Sequence, residues 1–150
     1  MGLSSQITSD LKEAMLSGDV LKINTLKLLK SAIGYAELEN GKKETGLQDE
    51  EIIHIIFKEA KKRSESIELY KKAGAIDRAA QEELEYDILK LYLPQQLSDE
   101  DLVNIINECL VDYPDLKSSD LGKIIGQVRV KVGNRADGSR IAKLVKERIK

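Results

Sequence analysis

The chain has 150 residues, of which 41% are hydrophobic and 33% charged, with a formal net charge of −2. This length suits one domain or two small helical ones, and the apolar content is sufficient for a buried core. A single cysteine excludes an intramolecular disulfide, and with one histidine it cannot supply the four ligands usual in a structural zinc site.

The longest uninterrupted apolar runs span only a few residues, so we expect neither a membrane span nor a membrane partner. The chain opens without an apolar segment followed by a cleavage site, and we therefore expect a cytoplasmic protein. Leu, Ile, Lys, Glu and Ala dominate the composition, which favours helices over strands.

The start of the chain is predicted to form two helices joined by a tight turn. Gly18 suits a left-handed C-terminal cap of the first helix, and Asp19 can cap the second. Apolar residues recur every four positions in the first helix, at Leu3, Ile7, Leu11 and Met15. The apolar stripe of the second helix contains Leu26, Leu29, Ala32, Ile33 and Ala36.

Residues 40–46, with two glycines and no apolar side chain, are predicted to form a loop. Three acidic residues beginning at Asp49 favour the start of a third helix there, because carboxylates stabilise the positive end of the helix dipole. This helix is predicted to run to about Lys72. A turn at Gly74 then introduces a fourth helix, whose Glu82, Glu83 and Glu85 are predicted to lie on a solvated face.

Pro94 marks the predicted domain boundary, because proline lacks an N–H and disfavours helical geometry in the residue before it. We predict an all-α protein with an N-terminal helical domain of about four helices over residues 1–93. A linker over residues 94–97 leads to a C-terminal three-helix bundle over residues 98–150.

The three C-terminal helices have recognisable start signals. Ser98, with Asp101 three residues later, resembles a capping box for the fifth helix. Ser118 or Ser119 is predicted to cap the sixth helix, and Asp137 the seventh.

The sequence offers no convincing catalytic group. Helical spacing places His54 on a solvated face with Glu50 and Glu51, while Cys109 falls on an apolar stripe and is predicted to be a small core residue. Gly122 and Gly126 are predicted to let a neighbouring helix pack closely. We therefore predict no catalytic residue and no cofactor or metal site, with a magnesium ion on one or two carboxylates left as an alternative.

Charge is distributed unevenly along the chain. Residues 98–120 contain one Lys and seven acidic residues, a balance of −6, whereas residues 121–150 contain nine basic and two acidic residues, a balance of +7. A basic segment of this kind can bind phosphates through counterion release, although its cations could also simply be solvated or pair with the acidic helix. The predicted phosphate-binding residues are Lys123, Arg129, Lys131, Arg135, Arg140, Lys143 and Lys146.

Several short motifs follow one another in an order that resembles the YqeY family. The most specific are YLPQQLS over residues 92–98 and RADG over residues 135–138. The others are DLKEAM (10–15), TLKLLKSAI (25–33), KRSESI (62–67), YKKAG (70–74) and LGKIIG (121–126). The fold of this family also forms the C-terminal tail of GatB, a subunit of the tRNA-dependent amidotransferase.

This resemblance implies an N-terminal helical domain followed by a smaller three-helix one, and an accessory role with tRNA as the expected partner. Amidotransferase subunits or another protein are further possible partners. An assignment of carbon–nitrogen ligase activity with glutamine as amido donor would be inherited from the larger enzyme, because the resemblance covers only its tail. The alternatives are a protein–protein adaptor of unknown partner and an uncharacterised metal-dependent enzyme.

Overall fold

The computed structural model describes residues 2–149, and all regular structure in this range is helical, which confirms the all-α prediction. The α-helices are α1 Leu3–Ser17, α2 Val20–Glu39, α3 Asp49–Lys72, α4 Ile76–Lys90, α5 Asp99–Leu110, α6 Leu121–Val132 and α7 Gly138–Arg148. Short 3-10 turns cover Ser118–Asp120 and Gly133–Arg135. None of the helices within residues 2–149 has both the length and the apolar content needed to cross a bilayer.

Contacts between Cα atoms separate the chain into two compact units, the first ending at Leu93 and the second beginning at Pro94. The first unit contains α1–α4, and its most extensive helix pairing is that of α3 with α4. Its core is built from apolar faces at helical spacing. The buried side chains of this core are Ile7, Leu11, Leu26, Leu29, Ile33, Ile52, Ile56, Ala60, Leu89 and Tyr92.

The turn between α1 and α2 follows the local chemistry of its residues. Gly18 has φ 74°, a left-handed conformation that glycine adopts without a steric penalty, and its N–H caps α1 on the Ala14 carbonyl. The Lys22 N–H donates to Asp19 Oδ1 at 3.2 Å, which caps α2. Both predicted caps are confirmed.

A long-range hydrogen bond ties the chain after α4 back to α1. The Tyr92 hydroxyl donates to Asp10 Oδ2 at 2.6 Å, although the two residues are 82 positions apart. Burial of the Tyr92 ring, together with its hydrogen bond to the Asp10 carboxylate and the charge of that group, raises the pKa of the phenol. This hydrogen bond thus links the C-terminal end of the first unit to its first helix.

Glu82 and Glu85 do not lie on a solvated face, contrary to the sequence-based prediction. Both accept from Arg63 Nη1 of α3, Glu82 at 2.8 Å, and the three side chains are between 13% and 25% exposed. The prediction failed because helical spacing showed which residues share a face of α4 but not that Arg63 covers that face. The resulting charge cluster joins α3 to α4.

The second unit has a core of its own, built mainly from side chains of α5, α6 and α7. Cys109 is 4% exposed within it, which confirms the predicted core position of this thiol. The buried members of this core are Leu102, Ile106, Cys109, Ile124, Val128, Val132, Ala136, Ile141 and Val145.

Two of the predicted caps in the second unit are confirmed and one is wrong. The Asp101 N–H donates to the Ser98 hydroxyl at 3.1 Å, and the Ser139 N–H donates to Asp137 Oδ1 at 3.0 Å. Neither Ser118 nor Ser119 caps α6, because a 3-10 turn over Ser118–Asp120 leads directly into the helix.

The segment predicted as a linker is hydrogen-bonded to the turn between α6 and α7. The Leu97 N–H donates to the Arg135 carbonyl at 2.9 Å. Gln96 Nε2 donates to the Asn134 carbonyl, also at 2.9 Å. These bonds fix residues 96 and 97 against the turn over Gly133–Arg135.

Candidate nucleic-acid interface

Helices α6 and α7 each separate an apolar face from a basic one. In α6, Ile124 and Val128 are buried while Lys123 is exposed, and in α7, Val145 is buried while Lys143 is exposed. Because side chains three or four positions apart share a helix face, packing of the apolar stripe turns the remaining cations outward. Amphipathic spacing alone thus produces a charged outer face on both helices.

Five of the seven predicted phosphate-binding side chains form what we call the basic surface: Lys123, Arg129, Lys131, Lys143 and Lys146. All five residues are exposed. Within residues 2–149, none of them forms an ion pair with an Asp or Glu side chain. Their charges are therefore available to an anionic partner.

Arg135 and Arg140 occupy a different setting and hold the second unit together. Arg135 donates to the carbonyls of Val132 at 3.1 Å and Lys131 at 2.9 Å, which caps the C-terminal end of α6. Arg140 Nη2 donates to the Leu97 carbonyl at 2.7 Å, and its Nε donates to Asp99 Oδ1 at 2.8 Å. Their charges are thus partly committed to intramolecular contacts that the sequence did not reveal.

Replacing Arg140 with alanine is expected to lower the free energy of unfolding by about 1–2 kcal/mol, because one hydrogen bond to a carbonyl and one to a carboxylate are lost. Asp99→Ala should cost less than about 1 kcal/mol, because the Asp99 side chain is 74% exposed and such ion pairs are screened by water. Urea unfolding followed by circular dichroism measures both values. Equal losses would show that the ion pair, and not the Leu97 contact, dominates.

Gly122 and Gly126 do not form a helix-packing site, which corrects the sequence-based interpretation. Both are exposed on α6, and a Cβ atom added to either would meet no atom within 4 Å. Spacing of four residues indicates that the glycines share a face but not whether another helix covers it. The two glycines leave the backbone of α6 accessible beside Lys123.

A surface pocket of about 530 Å³ lies between the C-terminal end of α2 and the N-terminal part of α3. Its lining includes His54, Glu50, Glu39 and Lys58, and His54 is exposed, as predicted. Glu51 accepts from Lys42 Nζ at 2.6 Å and from the Gln48 N–H at 2.8 Å. These two bonds lower the pKa of the Glu51 carboxyl, and the bond from Lys42 has the larger effect.

These carboxylates are not arranged around His54 as an acid–base pair. No hydrogen bond joins His54 to a carboxylate in the described part of the chain, and Glu51 is held as an ionised carboxylate by its two donors. Across residues 2–149, no group of three or more His, Cys, Asp or Glu side chains is placed to hold a metal ion. The basic surface is therefore a better-supported candidate site than the pocket lined by His54.

The amino-acid sequence of the chain is similar to a family model and to a relative from Schizosaccharomyces pombe. The family model described as "Yqey-like protein" matches residues 4–149 of the chain. "Uncharacterized protein C22F3.15" of Schizosaccharomyces pombe is 31% identical over 96 residues, which cover 64% of this chain and 76% of the relative. The family match spans both units and therefore includes the basic surface.

Proposed function

Because the chain belongs to the YqeY family, we propose that it is a non-catalytic, tRNA-associated accessory module of the cytoplasm. One observation carries the proposal: five exposed cations on α6 and α7 have no acidic partner within residues 2–149. The proposed architecture is a domain of four helices followed by a three-helix bundle that supplies this surface. Chemistry on the tRNA would be the task of other proteins, such as amidotransferase subunits.

The proposed recognition is directed at the RNA backbone. Residues 121–149 contain no aromatic side chain on which an unpaired base could stack. Lysine and arginine side chains instead neutralise phosphates, and folded RNA is recognised largely by shape and by backbone contacts. The exposed α6 backbone at Gly122 and Gly126 lets a phosphate approach the neighbouring Lys123 without steric hindrance.

Binding of total tRNA across a salt series tests this proposal. If all five cations contact phosphates, the logarithm of the association constant should fall with the logarithm of salt concentration with a slope of about −4. Lys143→Glu combined with Lys146→Glu should weaken binding at least about tenfold and reduce the steepness of the slope, because two phosphate contacts become repulsive.

Lys58→Glu combined with Lys62→Glu is the matched control, because it makes the same charge change at two exposed lysines of α3. We expect this control to retain most of the wild-type affinity for tRNA. A slope near zero, or equal loss of binding in the two double variants, would reject the basic surface as the tRNA site.

A further inference from the structure

The C-terminal end of α5 is acidic and carries an exposed valine. Glu108 lies in the last turn of the helix, Val111 follows three positions later, and Asp112 comes directly after it. All three residues are exposed. Val111 has helical φ and ψ angles of −55° and −36°, and it therefore shares a helix face with Glu108. We call these three residues the acidic end of α5.

The negative charge of the acidic end of α5 is not balanced by cations of the same chain. The last turn of α5 contains no basic residue, and across residues 2–149 neither Glu108 nor Asp112 forms an ion pair. The C-terminal end of a helix is also the negative end of its dipole, so both carboxylates add to a negative potential. The acidic end of α5 therefore favours a positively charged partner.

A second exposed valine lies among cations on α6. Val130 is seven positions from Lys123, which places both on one face of the helix, and it adjoins Lys131 in the chain. Of the large apolar side chains described in the second unit, Val111 and Val130 are the two that are exposed, at 77% and 84%. One of them thus lies beside carboxylates and the other beside lysines.

We propose that the protein self-associates, with the acidic end of α5 in one copy packing on the α6 part of the basic surface in another copy. Val111 of one copy contacts Val130 of the other, and the two carboxylates face Lys123 and Lys131. An apolar centre inside a rim of complementary charges is the usual anatomy of a protein–protein contact. A second copy is the occupant because one chain carries both halves of this contact.

Sedimentation equilibrium without RNA tests the proposal. At low salt the weight-average mass should rise with protein concentration above the 16.8 kDa of a single copy. It should return to that value in about 1 M salt, where the Debye length falls to about 3 Å. A single-copy mass at all concentrations up to about 1 mM, or an association that salt leaves unchanged, would overturn the proposal.

Two charge-reversal variants identify the contact. Glu108→Lys with Asp112→Lys should remain a single copy, and so should Lys123→Glu with Lys131→Glu, because like charges then face each other. An equimolar mixture of the two variants should associate again, since each patch meets the opposite charge in the other variant. Association of either variant alone, which would place the first unit or another surface in the contact, contradicts the proposal, as does a mixture that stays dissociated.

Val130→Ser tests the apolar centre without changing any charge and should weaken self-association at least about fivefold. The matched control is Lys58→Glu with Lys62→Glu, which makes the same charge change on α3 as the lysine reversal does on α6. This control should associate like the wild type. Undiminished association of Val130→Ser, or an equal loss in the α3 control and the α6 variant, would overturn the proposed contact.

The self-association and the proposed tRNA binding use the same lysines but are measured separately. Glu108→Lys with Asp112→Lys retains all five cations of the basic surface, so this variant should bind tRNA at least as tightly as the wild type does. Absence of tRNA binding in both chains would reject the function proposed above and leave the self-association standing. Intact tRNA binding by a wild-type chain that never associates would reject only the self-association.

Discussion

Ile52→Ala is expected to lower the free energy of unfolding by about 3–4 kcal/mol, the largest effect among the substitutions considered. Ile52 is fully buried at the centre of the first unit, where α3 packs on its neighbours. Truncation removes the transfer free energy of the lost methyl and methylene groups and leaves a cavity, because a close-packed interior relaxes only partly. Urea unfolding monitored by far-ultraviolet circular dichroism measures the loss.

The matched control is Ile76→Ala, the same chemical change at a residue that is 63% exposed in the first turn of α4. We expect a change within about 0.5 kcal/mol there, because little apolar contact is removed. Ile52→Val should fall between the two, at about 1 kcal/mol. Similar losses in both alanine variants would mean that Ile52 does not occupy the core.

Tyr92→Phe is expected to destabilise the chain by about 1.5–3 kcal/mol, the range for a hydrogen bond to a charged group. The substitution keeps the ring in the core but removes the donor to Asp10 Oδ2 at 2.6 Å. In a double-mutant cycle with Asp10→Asn, we expect a coupling free energy of at least about 1 kcal/mol, since the two side chains are in direct contact. Additive losses in the double variant would contradict this pairing.

The contribution of Tyr92 to the free energy of unfolding should also depend on pH in the alkaline range. Burial, reinforced by Asp10, raises the pKa of Tyr92 above its ordinary value of about 10, so the folded chain keeps this proton at higher pH than the unfolded chain does. The stabilisation is therefore fully present below about pH 10 and is lost as the pH rises through the folded-state pKa.

We expect the stability difference between wild type and Tyr92→Phe to be constant from pH 7 to 9. Above pH 10 it should shrink by at most about 1.4 kcal/mol per pH unit. Comparison with the phenylalanine variant cancels the titration of the lysines, which occurs in the same range. A difference that grows above pH 10 would show that Tyr92 ionises more easily in the folded chain.

The candidate site could be predicted in part, because exposure follows helical periodicity but pairing does not. The sequence identified the basic segment and the helix faces that bear Lys123, Lys143 and Lys146. It did not separate them from Arg140, whose partners Leu97 and Asp99 lie 43 and 41 residues away.

Local chemistry explains what the amino-acid sequence determined. Helix ends depend on residues within a turn of one another, so the caps at Gly18, Asp19 and Ser98 were predictable from adjacent side chains. The start of α3 at Asp49 and its end at Lys72 followed in the same way from charge and periodicity.

Only the tertiary structure decided which faces are covered and which charges are paired. Apolar burial is not directional, so a stripe indicates that a helix packs but not against what. The ion pairs of Arg63 with Glu82 and Glu85 depend on how the helices are placed in space. The exposure of the two α6 glycines depends on it as well. The separation of Arg140 from the exposed cations of the basic surface has the same origin, because contacts between residues far apart in sequence leave no local pattern.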